Sequence, residues 1–510
     1  MINFKDTLLS TIQKLAGQTL WYGVPTIASR FLGYLLNMAL PFLFAQPAVT
    51  ADLTQVYAII PFLNILFTYG VETAYFRYAK EKDPQQLYHT LGTSILCSTL
   101  VLAACLLLFR NRLAAAAGLE AHPEYITWMC CILVFDTLAT LPFARLRQQG
   151  RPRRYALVRL SGIVINIAVV VLFLGILPAQ CQTEPNAAWC RFFDADTGIG
   201  YYLIGNCAGS IVTFLLLWTD WKQWRPYFNT RLWTELMRYS YTLIIVGMGG
   251  MINDMLSRLV YQHVVDLPEA AAKHELGVFA NQYRIAVLIT IMIQAFRMAA
   301  EPFFFNQAKE ENPQRTYARI MKFFVIACCF MFLAIGLYLD LFRWIITLKS
   351  AAWGEGIEAV LLLALGNVLL GIYYNLSIWY KLTNKNLYGA AITLGGAVIT
   401  VLLNIWLIPH WHYWGAATAT FVCYLVMMVS SYLLGQRHYP VPYARKKLLA
   451  YLALSVLLVL IHQGFTRLVP GLWLSMLSGT ALLLFFGWWV AKIESKELQR
   501  IPLLARLFRY

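Results

Sequence analysis

The chain has 510 residues, 59% apolar and only 13% charged, with a mean hydropathy of +0.59. A water-soluble chain carries about 25% charged residues, so a string of soluble domains is excluded. The net charge of +16 would suit nucleic acid, but the placement of the charges argues against that partner.

A bilayer core takes about 20 apolar residues per helix. On that measure the sequence predicts an all-α integral membrane protein with about fourteen spans. They lie near 18–43, 53–78, 87–109, 124–144, 156–178, 199–219, 239–263, 275–301, 320–346, 356–380, 387–408, 413–434, 448–466 and 470–491. The opening segment, MINFKDTLLSTIQKLAG, reads as an amphipathic helix. It lacks the short apolar core and small-residue cleavage site of a signal peptide. With the N-terminus in the cytoplasm, the cytoplasmic segments hold 28 Lys and Arg residues and the outer loops 6. This is the positive-inside pattern, and it predicts that both termini are cytoplasmic. The basicity then reports topology and attraction to anionic headgroups, not nucleic-acid binding.

Eight of the ten cysteines fall in predicted spans and read as small apolar residues. Cys181 and Cys190 share the one sizeable outer loop, 179–198, where an oxidising compartment permits a disulfide. No cysteine or histidine spacing suits a metal, and no metal or cofactor is expected.

The chain repeats internally. AKEKDPQ at 79–85 matches AKEENPQ at 308–314, an offset of 229. Upstream, Glu72 falls on Glu301, Tyr75 on Phe304 and Phe76 on Phe305. One residue of slippage brings Ser29-Arg30 onto Ser257-Arg258, and LSGIVI at 160–165 matches LGGAVI at 394–399. Both AKE loops are predicted to be cytoplasmic, so the repeat is parallel: helices 1–6 and 7–12, with 13 and 14 left over. Parallel repeats are one of the two plans of secondary transporters. The expected domains are residues 1–220, 221–436 and 437–510.

Ionised side chains are costly inside a bilayer and mark functional positions. Arg30, Asp136 and Arg284 lie mid-span. Asp254 and Arg258, four apart on helix 7, share a face and can pair. Glu72 and Arg77 end helix 2, Arg297 and Glu301 end helix 8, and Arg159 enters helix 5. Arg77, Arg159 and Arg343 are near enough to helix ends to snorkel. Neither Arg30 nor Arg284 has a carboxylate one helical turn away in sequence. Guanidinium groups bind phosphate oxygens bidentately, so Arg30, Arg284 and Arg258 are the candidate diphosphate ligands. Asp136, Asp254, Glu72, Arg297 and Glu301 are the coupling or gating candidates. A coupling cation, H+ or Na+, is left open. No GxxxxGK[ST], HExxH or GxSxG motif occurs, so the chain carries no ATPase loop and no familiar hydrolytic site.

LWYGVPTIASRFLGYLLNMALPFLFA (20–45), YGVETAYFRYAKE (69–81), RQQGRPRRYALVRLSGIVINI (147–167), LGVFANQYRIAVLI (276–289) and LNIWLIPHWHYWGAATAT (403–420) together resemble the polysaccharide flippases. These are the Wzx-type O-antigen and capsule-unit translocases of the multidrug/oligosaccharidyl-lipid/polysaccharide (MOP) exporter superfamily. The resemblance implies two six-helix lobes around a central cavity, with helices 13 and 14 alongside. It implies a monomer in the bacterial inner membrane that flips undecaprenyl-diphosphate-linked oligosaccharide by alternating access, without ATP. Expected partners are the lipid-linked oligosaccharide, membrane lipids, a polysaccharide polymerase and glycosyltransferases. Lipid II flippases carry an arginine in a setting similar to that of Arg30 and a second one six residues on, where this chain has Leu36. A drug/cation antiporter or a lipid II flippase on the same fold are the alternatives. A membrane-bound glycan polymerase or ligase would need a large outer loop bearing catalytic residues, which this chain lacks.

Overall fold

A computed structural model describes residues 28–79, 81–184, 186–307 and 312–498. The described residues form helices and no strands, and twelve of the helices are long and apolar enough to cross a membrane. We number the spans in chain order. α1 covers 28–38 and continues past a turn at Ala39 into Leu40–Leu43. Its predicted start and the amphipathic opening segment lie outside the described residues. Then follow α2 (Val49–Tyr78), α3 (Pro84–Leu108), α4 (Glu124–Gln148), α5 (Pro152–Thr183), α6 (Gly200–Trp221), α7 (Thr230–Val264), α8 (Glu269–Gln307), α9 (Pro313–Gly336) and α10 (Ala359–Leu382). The 53-residue helix Asn386–His438 is two spans, because at His412 φ is 50° and ψ is −132°. The break gives α11 over 386–411 and α12 over 413–438. α13 (Arg445–Leu468) and α14 (Leu472–Leu498) complete the order. The described part of α1 and thirteen further spans thus follow the predicted sequence of fourteen.

Helix starts are written in the sequence. α3 opens on Pro84 after Asp83, whose Oδ1 accepts from the Gln85 amide at 2.9 Å. α9 opens on Pro313 after Asn312, at the same offset of 229. Proline suits the first helical turn, where its missing N–H is not needed. The turns after α4 and α10 are also matched. Gly150 (φ 66°) and Asn384 (φ 56°) both take the left-handed conformation, at the offset of the LSGIVI/LGGAVI match.

Compactness divides the chain into unit 1 (Met1–Ala280 with Thr400–His412) and unit 2 (Asn281–Ile399 with Tyr413–Tyr510). The predicted boundary at 220 falls inside unit 1 because α7 packs along α2, where Gly247 meets Ile65. The start of α8 lies so close to Pro47 that a Cβ at Gly277 would stand 2.1 Å from the Pro47 carbonyl oxygen. Unit 1 is also held by an α5–α6 contact of small residues. Gly205 and Gly209 form a GxxxG step, and a Cβ on Gly209 would be 2.5 Å from the Gly162 carbonyl oxygen. Such steps let membrane helices approach to backbone contact. Cys181, in the last turn of α5, forms a disulfide with Cys190, with their Cα atoms 5.7 Å apart.

In unit 2, α10 is buried along most of its length, and α9 packs against both α10 and α13.

Candidate functional site

The charged residues singled out above fall into three groups in unit 1. The first is a polar column on α7. Arg258 donates through Nη2 to the Asp254 carbonyl at 2.7 Å, and its Nη2 is 3.7 Å from the Asp254 carboxylate. On the same helix Asn253 and Ser257 are buried, and Thr400 of α11 donates to Asn253 Oδ1 at 3.2 Å. The column ends at Glu275 of α8, which accepts from the Tyr261 hydroxyl at 2.6 Å and lies 3.1 Å from His412 Nδ1. Two more ion pairs lie at that end, Lys273 with Glu269 at 3.1 Å and with Asp52 of α2 at 3.6 Å.

The second group is on α4 and α6. Asp136 accepts from the Ser210 hydroxyl at 2.7 Å. It makes no ion pair among the described residues. The third group is at the end of α2. Glu72 pairs with Arg147 of α4, Arg77 lies over the Tyr239 ring at 4.4 Å, and Arg159 lies over Phe143 at 5.6 Å. Arg77 and Arg159 are exposed and each lies over an aromatic face, a favourable cation–π arrangement. Arg30 is exposed on α1.

In unit 2, Arg284 is half-buried on α8, beside Asn281 and Gln282, each 1% exposed. Gln282 donates to the Glu355 carbonyl at 3.1 Å, and Asn367 of α10 donates to the Ala286 carbonyl at 2.9 Å. These bonds hold the α8 turn that carries Arg284. Arg297 lies over Tyr374 at 4.6 Å. The side chain of Glu301 is outside the described residues. Arg343 meets Glu358 at 2.5 Å and so has a protein partner near the helix end.

A buried charge cluster in unit 2 has no counterpart in the sequence reading. Lys322 of α9 donates to Glu494 Oε2 at 2.5 Å and to Glu497 at 2.7 Å. Glu494 also accepts from Lys447 at 2.9 Å and from Tyr451 at 2.6 Å. Lys322 reads as a cytoplasmic flank and Glu494 as lying beyond α14, yet they are 6% and 2% exposed. The spacing of Glu494 and Glu497 on one helical face was the available signal. Burial alone would push the Glu497 carboxyl up, but Lys322 and Arg319 outweigh it and hold the group below the usual carboxylate range.

With the spans and their charged residues placed, similarity to known proteins can be stated. The sequence matches the family described as polysaccharide biosynthesis protein over residues 15–307. The chain belongs to this family. No curated protein sequence matches it. Among solved structures the chain is similar to a lipid II flippase, MurJ, in an inward closed conformation. The TM-score is 0.68 at 13% identity, covering 94% of this chain and 99% of that one. It is also similar to an inward-facing multidrug resistance MATE family transporter of the MOP superfamily, with TM-score 0.57, 14% identity and coverage of 85% and 95%. A Vibrio cholerae MATE transporter gives 0.58, 15%, 84% and 97%. At these identities the likeness shows a shared fold. This member of the polysaccharide biosynthesis family is therefore a multi-pass membrane protein with the MOP fold.

Proposed function

We propose that the protein translocates an undecaprenyl-diphosphate-linked oligosaccharide from the inner to the outer leaflet of a bacterial cytoplasmic membrane, by alternating access and without ATP. The observation that carries this reading is the set of guanidinium groups in the apolar spans α1, α7 and α8: Arg30, Arg258 and Arg284. A charge at that depth is costly and is retained where it meets a ligand or a polar interior. A guanidinium fork matches phosphate oxygens. The family supports a role in making polysaccharide, and the fold likeness to a protein that flips lipid II supports a lipid-linked cargo. Leu36 favours a different cargo from lipid II, because it is 6% exposed within an apolar cluster with Leu40 and Val56. The basic flanks support cytoplasmic termini. A drug/cation antiporter on the same fold would need acidic groups where this chain has arginines.

The test is replacement of Arg30 and Arg284 in a complementation strain that reads surface polysaccharide. Alanine at either site abolishes export while the protein accumulates in the membrane, lysine restores part of it, and glutamate is worse than alanine. Full export by both alanine variants would overturn the diphosphate assignment.

A further inference from the structure

The end of unit 1 predicted to face the cytoplasm contains a cavity of about 680 Å3. Ligand pockets run from about 300 to 1,000 Å3, so it is of ligand size. Three cations line it: Arg145 of α4, and Lys222 and Arg225 just after α6. None of its lining residues is acidic. The carboxylates nearest in sequence already have partners. Asp83 caps α3, Asp220 pairs with Arg154 at 2.7 Å, and Glu72 pairs with Arg147.

The cations are held in place. The Arg145 guanidinium lies over the Tyr88 ring at 4.5 Å, and its Nη1 is buried without a hydrogen bond. The segment after α6 is strapped across α3. The Arg225 amide donates to His89 Nδ1 at 3.1 Å, Trp224 Nε1 to the His89 carbonyl at 3.2 Å, and Thr93 to the Tyr227 carbonyl at 3.0 Å. A ring nitrogen that accepts leaves the proton on Nε2, so His89 adds a donor to the cavity wall. Tyr75 donates to Gln148, another lining residue.

The internal repeat supplies a control. At the offset of 229, Tyr75, Tyr88 and His89 correspond to Phe304, Tyr317 and Ala318. At the offset set by Gly150 and Asn384, Gln148 corresponds to Leu382. In unit 2 these four residues close into an apolar cluster with Ile378 and Val441. The Arg145 position is taken by Trp379, 2% exposed and stacked on His438. The cavity left at that end of unit 2, lined in part by Phe304 and Ile378, is about 10 Å3. The pocket there also carries Arg297 and Lys381, but the four counterparts of the unit 1 wall pack together and leave little room. Unit 1 keeps a roomy wall whose formal charges are all cationic, at an energetic cost, since a buried unmet donor costs about 1–3 kcal/mol.

We propose that this cavity is a phosphate-binding site, separate from the mid-span arginines assigned to cargo above. A phosphoryl group sits on Arg145, with Lys222 and Arg225 at the mouth and His89 donating from the wall. The proposal does not depend on what the protein transports. The phosphoryl group belongs either to a soluble phosphorylated compound or to an anionic lipid headgroup, and the test separates the two.

The full chain is placed in nanodiscs of phosphatidylcholine. In one arm, sodium pyrophosphate is titrated calorimetrically. In the other, phosphatidylglycerol is added and its retention is read by native mass spectrometry. The variants are Arg145→Gln and the double Lys222→Gln/Arg225→Gln, with Arg151→Gln/Arg153→Gln, outside the cavity lining, as control. The expected result is binding of one probe by the unaltered protein. Each cavity variant weakens it about tenfold or more, as loss of a charge-assisted hydrogen bond implies, and the control changes it less than about twofold. Loss confined to the pyrophosphate arm assigns a soluble source, and loss confined to the phosphatidylglycerol arm a lipid. Absence of binding in both arms, or binding equal in all four proteins, overturns the proposal. Lys222 and Arg225 are exposed, so their double variant decides the matter should Arg145→Gln fail to fold.

Discussion

Replacing Lys322 with methionine tests whether the charge cluster of unit 2 fastens α14 to α9. The ammonium group is 7% exposed and meets two carboxylates, Glu494 at 2.5 Å and Glu497 at 2.7 Å. Breaking a buried pair by removing one partner costs about 3–5 kcal/mol, because the remaining charge is left desolvated. Here Glu494 keeps Lys447 and Tyr451, and Glu497 keeps Arg319 at 3.0 Å. The loss for Lys322→Met therefore falls at the lower end, about 3 kcal/mol. Adding Glu494→Leu removes the carboxylate that the first change exposed, so the double variant loses less than the sum of the two single ones. The assay is reversible unfolding in mixed micelles with rising dodecyl sulfate, run as a double-mutant cycle. Acid adds a check on sign. Glu497 is held below its ordinary range, so its contribution is present above about pH 4.3 and is lost as the pH falls through its lower folded value. Lys322→Met flattens that acid dependence. A loss below about 1 kcal/mol, the size of a surface pair, together with additivity in the cycle, would refute the reasoning.

At Gly277, alanine forces the α8 start against the Pro47 carbonyl, which cannot yield as a side chain would, and lowers stability by about 1–3 kcal/mol. Gly250 has open space around it, so Gly250→Ala in the same unfolding assay is neutral or stabilising by up to about 1 kcal/mol. Equal effects at the two sites would contradict the packing described. Single-cysteine labelling from outside the cell reaches 181–196 and not 145–154 or 437–447. The intact protein also releases two fewer thiols than its reduced form. Labelling of 145–154 from outside would invert the topology.

The spans were legible because hydropathy reports what a bilayer demands of a stretch of chain. The breaks at Asp83-Pro84 and Asn312-Pro313 were legible because proline and a small polar residue have local meanings. The α2 break at Tyr69-Gly70 was not, since tyrosine has no preference for a positive φ and only the tertiary structure imposes one. Helices α7, α8 and α14 run past their predicted ends because charged residues are good helix formers, while a hydropathy window counts them as loop. Among the site candidates, the Asp254–Arg258 spacing points to a local pair. The partners of Asp136, Glu72 and Lys322 could not be read, because each comes from a helix remote in sequence.

The interruption of α2 has a mechanical meaning. Tyr69 at φ 33° and Gly70 at φ 75° divide Val49–Thr68 from Val71–Tyr78. An unbroken helix resists bending because flexure stretches its ladder of amide bonds. In α2 the ladder is already cut, so rotation of the short segment about the joint sacrifices little further bonding. A left-handed tyrosine is held there at roughly 1–3 kcal/mol of strain, kept in place by burial and by its hydroxyl contact with Ser94 at 2.7 Å. The segment Val71–Tyr78 carries Glu72, clasped to Arg147, and Arg77. The direction in which it presents those charges is therefore set by what Val71–Tyr78 packs against and not by the axis of Val49–Thr68.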